Sequence, residues 1–128
     1  MKVTDLLAVS ALVLSGCGES AYGPLCDDYA AAGIVVTLAD SSTNGRIPAG
    51  VAIVRAVAGA YADSARVSVE VFPQRQVFPL AYERPGVYRV DVSVTGYRPW
   101  AMSGITVRME SDGCHVETRS ISTLMQKT

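Results

Sequence analysis

Apolar and polar residues alternate with period two along much of this chain. Val67, Val69 and Val71 alternate with Ser68 and Glu70. Tyr88, Val90, Val92 and Val94 alternate with Arg89, Asp91 and Ser93. Ile105, Val107 and Met109 alternate with Thr106, Arg108 and Glu110. Successive side chains of an extended strand point to opposite faces, so each pattern predicts one face for a core and one for water. Ile34 to Ala39 and Val51 to Ala58 read as more continuous apolar strands, Cys114 to Thr118 as a short alternating one, and Ser120 to Met125 as the last. Turn signals fall between them. Asp40 to Gly45 contains Asn44-Gly45, a pair that favours positive φ, and Arg84-Pro85-Gly86 joins a preset φ to a residue free to turn left-handed. Gly96, Gly104 and Ser111-Asp112-Gly113 punctuate the rest. The best helical candidate, Asp27 to Ala32, is short and stops at Gly33. About seven strands with regular turns predict an all-β fold, an antiparallel sandwich of the Greek-key type.

The first stretch does not belong to that pattern. Lys2 precedes an apolar run, Leu6 to Leu14, of a length suited to a secretory signal. A helix rises about 1.5 Å per residue, so this run is far too short for a hydrocarbon core of about 30 Å. It leads into Leu14-Ser15-Gly16-Cys17, which resembles a lipobox, the recognition sequence of bacterial lipoproteins. Small residues at Ser15 and Gly16 let the backbone lie extended in a peptidase cleft. The resemblance implies that Cys17 carries a diacylglycerol thioether, that cleavage follows before it, and that residues 1–16 are a signal peptide. Gly18, where inner-membrane proteobacterial lipoproteins tend to carry Asp, implies export to the outer membrane. Residues 17–32 then form the lipidated cysteine and a flexible tether.

Lipidation at Cys17 leaves two of the three cysteines, Cys26 and Cys114. An even pair in an oxidising periplasm is expected to be a disulfide, against the alternative of two buried thiols. The 128 residues carry 11 basic and 12 acidic side chains, a net charge of −1. That excludes the dense positive face a nucleic-acid binder needs. No basic cluster is present to hold the domain on anionic lipid, so the acyl chains must be the anchor.

Residues 82–100, YERPGVYRVDVSVTGYRPW, resemble a carboxypeptidase-regulatory-like domain, a transthyretin-like (prealbumin-like) β-sandwich. The shared features are Pro85, Gly86, Tyr88, Val90, Val92, Gly96 and Tyr97. Val36, Leu38 and Asp40 followed by Asn44-Gly45 are similar to the family's opening strand and turn, and Gly113-Cys114-His115-Val116 with Thr118 to its closing segment. The resemblance covers residues 33–125. It implies that Tyr88 buries its ring between two sheets while its hydroxyl finds a backbone partner. Some transthyretin-like proteins are 5-hydroxyisourate hydrolases, which use several His and Arg residues and a C-terminal Tyr-Arg-Gly-Ser. This chain has one His and ends Leu124-Met125-Gln126-Lys127-Thr128, which argues against that activity.

Candidate chemistry is sparse. His115, Glu117 and Arg119 would share one strand face, which reads as a solvated polar row, since a metal site needs three or four converging ligands. Asp27-Asp28 reads as a cap on the turn into Tyr29. No catalytic residue, metal or cofactor is expected. Phe72 to Leu80 holds two aromatics and two prolines, and Pro removes ladder donors, so the segment reads as an edge or loop. Phe72, Phe78, Tyr97 and Trp100 are the candidate binding surface, with packing over one end of the sandwich as the alternative. The expected protein is a lipid-anchored, periplasm-facing lipoprotein of the cell envelope, not an enzyme, with a structural or protein-interaction role. Its partners would be the membrane, through the anchor, and another envelope protein, not nucleic acid. A small-ligand or carbohydrate-binding module using the 72–80 loop and Trp100 is the second reading.

Overall fold

A computed structural model describes residues 25–47, 52–66, 69–72 and 75–128. The expected signal peptide 1–16, the lipidated Cys17 and Gly18 lie outside the described residues. Among the described residues there are eight strands and no helix: β1 (Ile34–Asp40), β2 (Ala52–Ala58), β3 (Tyr61–Ala65), β4 (Val69–Phe72), β5 (Arg75–Leu80), β6 (Gly86–Val94), β7 (Trp100–Val107) and β8 (Arg119–Met125). They form two four-stranded sheets, in the orders β4-β5-β1-β8 and β3-β2-β6-β7. The fold is an all-β sandwich, as the alternation predicts. All strand pairs are antiparallel except one: β8 runs parallel to β1 over its whole length, from Ile34 opposite Arg119 to Asp40 opposite Met125.

The core lies between the sheets and is built from alternate positions. Ile34, Val36 and Leu38 of β1, Phe78 and Leu80 of β5 and Ile121 and Met125 of β8 face Val54 and Ala56 of β2, Tyr88, Val90, Val92 and Val94 of β6, and Ile105 and Val107 of β7. Tyr88 behaves as expected of its motif. Its ring is 1% exposed. Its hydroxyl donates to the Arg84 carbonyl at 2.9 Å, so a large apolar ring is buried without an orphaned polar atom. Tyr61 meets it edge to face at 6.3 Å, and the Arg84 guanidinium lies 3.9 Å over the Tyr61 ring.

Several boundaries differ from the pattern reading. β3 carries one large apolar residue and gave no periodic signal; it exists because Gly59, at φ +57°, opens a two-residue turn that folds Tyr61 back against Ala58. Gly104 does not end a strand. At φ +72° it sits inside β7, beside a register shift between Tyr88 and Val90, and the strand begins earlier, at Trp100. Met109 falls beyond β7 and is 39% exposed rather than in the core. The left-handed residues of the β5–β6 turn are Ala81 and Glu83, not Gly86. Residues 114–118 form no strand; an isolated bridge joins Met109 and Val116.

The 72–80 segment is the largest correction. β5 is an inner strand, paired with β1 on one side and β4 on the other. The described β4 pairing runs from Arg75 to Val77 and stops short of Pro79, so the missing N–H of Pro79 has no β4 partner there to fail. Phe78 is 1% exposed and lies in the core.

The end of the expected tether, residues 26–32, is bound to the sandwich. Ala31 and Ala32 are buried, Thr118 Oγ1 donates to the Ala32 carbonyl, and Gly33 N donates to the Ala81 carbonyl. Cys26 and Cys114 are joined in a disulfide with Cα atoms 5.2 Å apart, closing a separation of 88 residues.

Two variants test this architecture by urea denaturation of residues 17–128. Phe78→Ala is expected to lose about 3–5 kcal/mol, the cost of a buried ring removed; a change within about 0.5 kcal/mol is what an exposed ring gives. The double variant Cys26→Ser, Cys114→Ser is expected to lose about 2–5 kcal/mol, since it releases a long loop in the unfolded chain. Wild-type stability in that variant would contradict the bond.

Candidate functional site

Two clusters of hydrogen-bonded carboxylates stand out, one at each end of the fold. At the end where the chain joins β1, three segments meet: residues 26–33, the β5–β6 turn and residues 108–117. Glu83 organises them. Its left-handed backbone, at φ +50°, lets its own N–H donate to the Ala31 carbonyl at 2.9 Å. Its carboxylate turns back over the same strand end. Oε1 accepts from Ala31 N–H at 2.5 Å and Oε2 from Val116 N–H at 3.2 Å. Those donors, first Ala31 and then His115, hold the Glu83 carboxyl below its ordinary range.

His115 bridges this carboxylate to a second one. Its Nδ1 is 2.7 Å from Glu83 Oε1 and its Nε2 is 2.9 Å from Asp27 Oδ1. Its side chain is 16% exposed, against 73% for Asp27. The Tyr29 ring stands edge-on at 6.1 Å. An ionised carboxylate only accepts hydrogen bonds, so two of them require a proton on each ring nitrogen. A carboxylate at each nitrogen favours the imidazolium: Glu83, and further Asp27, raise the His115 pKa above the ordinary value against the opposing effect of burial. An imidazolium bonded at both nitrogens has no lone pair to act as a base or to bind a metal. The arrangement is a clip: together with the disulfide one residue before each of Asp27 and His115, it pins the incoming segment to the sandwich.

The expected outward row of His115, Glu117 and Arg119 is therefore not formed. Cys114 N–H donates to Asp112 Oδ1 at 2.9 Å and Gly113 is at φ +72°, so the chain turns here and the period-two alternation that would have aimed His115 outward is broken. Glu117 and Arg119 are exposed. Asp27 does cap the turn into Tyr29, whose N–H donates to Oδ1 at 3.1 Å, and the same oxygen takes the histidine. Among the described residues no group of three or more His, Cys, Asp or Glu is arranged to hold a metal ion.

The opposite end is knotted by Asp40, which is 1% exposed. Its carboxylate accepts from the Ser42 hydroxyl, from Ser42 N–H at 2.7 Å and from the Tyr97 hydroxyl, with Lys127 Nζ at 3.5 Å. Ser42 and then Tyr97 hold the Asp40 carboxyl well below the usual carboxylate range, and the Tyr97 hydroxyl is pushed up to about 12 chiefly by the hydrogen bond it donates to Asp40. Tyr97 is 8% exposed and Phe78 is in the core, so neither ring is a surface. The Phe72 side chain lies outside the described residues. Trp100 is half-buried against the core and borders a shallow groove of about 410 Å³ with Arg55, Arg89 and Asp91. There Arg89 and Asp91 pair with each other, at 2.9 Å and well exposed, which leaves a solvated ion pair in place of converging groups. Of the rings expected to form a binding surface, Phe78 and Tyr97 are therefore packed inside instead.

No known family model matches the chain, and no curated protein does.

The clip sets a testable pH dependence. A raised folded pKa at His115 means that its contribution is fully present below its ordinary value of 6.5 and is lost as pH rises through the folded value. A lowered folded pKa at Glu83 means the reverse: its contribution is present above 4.5 and is lost as pH falls through the folded value. Between the two the clip is intact. His115→Gln is therefore expected to lower the urea midpoint most near about pH 5.5 and least near about pH 9. A gap of the same size at both values, or none at either, is the contrary result.

Proposed function

We propose that this chain is a lipid-anchored lipoprotein of the bacterial cell envelope. It presents a carboxypeptidase-regulatory-like β-sandwich to the periplasm in a non-catalytic, structural or protein-interaction role. The observation that carries this reading is the Cys26–Cys114 disulfide. A disulfide persists in an oxidising compartment. It also leaves Cys17 as the one cysteine outside the pair, directly after an apolar run and two small residues. That is where a lipoprotein needs its thiol: diacylglycerol joins Sγ, the peptide bond before Cys17 is cut, and the new amine is acylated. One acyl chain binds a bilayer marginally and several bind it stably, so the domain needs no basic patch.

The fold supports the domain resemblance, with the buried ring of Tyr88 and its hydroxyl on the Arg84 carbonyl as its nearest physical counterpart. The non-catalytic role rests on His115, the single histidine, having both nitrogens committed to carboxylates. The second reading, a carbohydrate-binding or small-ligand module using the 72–80 segment and Trp100, is less well supported, because Phe78 is packed inside.

Radiolabelled palmitate fed to cells is expected to enter the wild-type protein and to be absent from Cys17→Ala. Density-gradient fractionation is expected to place the wild type with outer-membrane markers and Gly18→Asp with inner-membrane markers. Label in Cys17→Ala, or a soluble wild type with Cys17 intact, overturns the anchor. Wild type among inner-membrane markers overturns the sorting.

A further inference from the structure

We infer that the end of the sandwich where the chain joins β1 is a membrane-resting face, seated in the headgroup region of the bilayer that holds the anchor. The inference rests on lipidation of Cys17 and adds to it an orientation. Four exposed apolar side chains lie in the segments that meet at this end. They are Leu25 at 93% exposure and Tyr29 at 70% in the incoming segment, Tyr82 at 49% in the β5–β6 turn, and Met109 at 39% after β7. Of the other exposed large apolar side chains among the described residues, Val87 and Met102 lie within β6 and β7, and Leu124, at 53%, lies near the end of β8 at the opposite end. Exposed large apolar side chains gathered at one end of a small domain mark a contact surface.

Two features select a bilayer as the occupant. The first is the length of chain that precedes the described residues. Cys17 to Leu25 is eight residues, which spans at most about 28 Å when extended. The disulfide at Cys26 and the His115 clip fix the segment that follows to this end of the sandwich, so a lipid on Cys17 is joined to the domain at this end and not at the Asp40 end. The second is residue type. Tyrosine combines an apolar ring with a hydroxyl and settles at the boundary between acyl chains and headgroups. In the segments that meet at this end the carboxylates Asp27, Asp28, Glu83, Glu110, Asp112 and Glu117 stand against Arg84, Arg108 and His115. They do not attract an anionic leaflet, so the surface that fits is a zwitterionic headgroup layer, reached by apolar contact and held by the tether.

The test uses residues 17–128, which contain both sheets and the whole core. Cys17 is coupled chemically to a maleimide phospholipid in phosphatidylcholine–phosphatidylethanolamine vesicles that contain brominated lipid. In a Trp100→Phe background, a single tryptophan is introduced as Tyr29→Trp, Tyr82→Trp or Leu124→Trp. Each variant is first shown to keep the wild-type circular dichroism. The Tyr29→Trp and Tyr82→Trp variants are expected to lose about half of their emission to the bromine atoms, and the Leu124→Trp variant less than about a tenth. No quenching at positions 29 and 82, or equal quenching at all three, overturns the proposal. Absent quenching together with crosslinks between two copies of the chain through this end assigns the face to a protein contact and also overturns it. Because the lipid is attached by hand, this result is separate from palmitate labelling in cells, which alone decides whether the anchor is natural.

Discussion

Strand β1 is hydrogen-bonded along both edges, antiparallel to β5 and parallel to β8, and the rest of the structure is arranged around that constraint. An inner strand needs a partner on each side for its N–H and C=O groups. The two partners come from far apart in the chain. The start of β1 must therefore receive the end of β5 and the approach to β8 at one place, where Gly33 donates to the Ala81 carbonyl and accepts from Arg119 N–H. That junction brings Asp27, Glu83 and His115 within reach of one another. The end of β1 must likewise meet the end of β8 and the β6–β7 turn, and there Asp40 gathers Ser42, Tyr97 and Lys127. Both polar knots are consequences of how one strand is flanked.

The knots do different work. Asp40 is buried and accepts hydrogen bonds from neutral donors close in sequence and across the fold, so it closes one end of the sandwich over most of the pH range. The His115 clip is partly exposed and consists of ionisable groups alone. Its attraction is screened by solvent, and the covalent bond beside it does the greater part of holding the incoming segment. Apolar burial between the sheets supplies the main cohesion, with Phe78, Tyr88 and the β1 and β6 side chains at its centre. The clip and the disulfide fix instead the end of the sandwich at which residues 26–33 are held.

Legibility in the sequence followed the physics of each element. β6 was plain, because four apolar residues at strict alternation, from Tyr88 to Val94, leave one face for the core under any partner. Tyr88 could also be assigned its buried ring and its backbone partner. β5 was hidden because Pro79 is a poor ladder residue in general, and only the short reach of β4 makes it harmless here. β3 was hidden because its five residues hold a single large apolar side chain, and its strand state comes from the Gly59 turn and from β2. Residues 114–118 misled in the other direction. They alternate in polarity, yet the Asp112 cap and the disulfide bend them into a turn, and His115 swings inward. Glu83 was invisible as a site residue, since nothing in Tyr82-Glu83-Arg84-Pro85-Gly86 signals a left-handed glutamate.

The sequence by itself determined the all-β class, the core face of β6 and the pairing expected of Cys26 and Cys114. These are local or compositional properties: alternation, turn residues, counts and charge do not depend on which strands become neighbours. The tertiary structure alone decided that β8 lies parallel to β1, that the rings of Phe78 and Tyr97 pack inside, and that one histidine is locked between carboxylates from two distant segments. Each of these turns on which segments meet, and that is set by strand pairing across dozens of residues, an outcome no local pattern encodes.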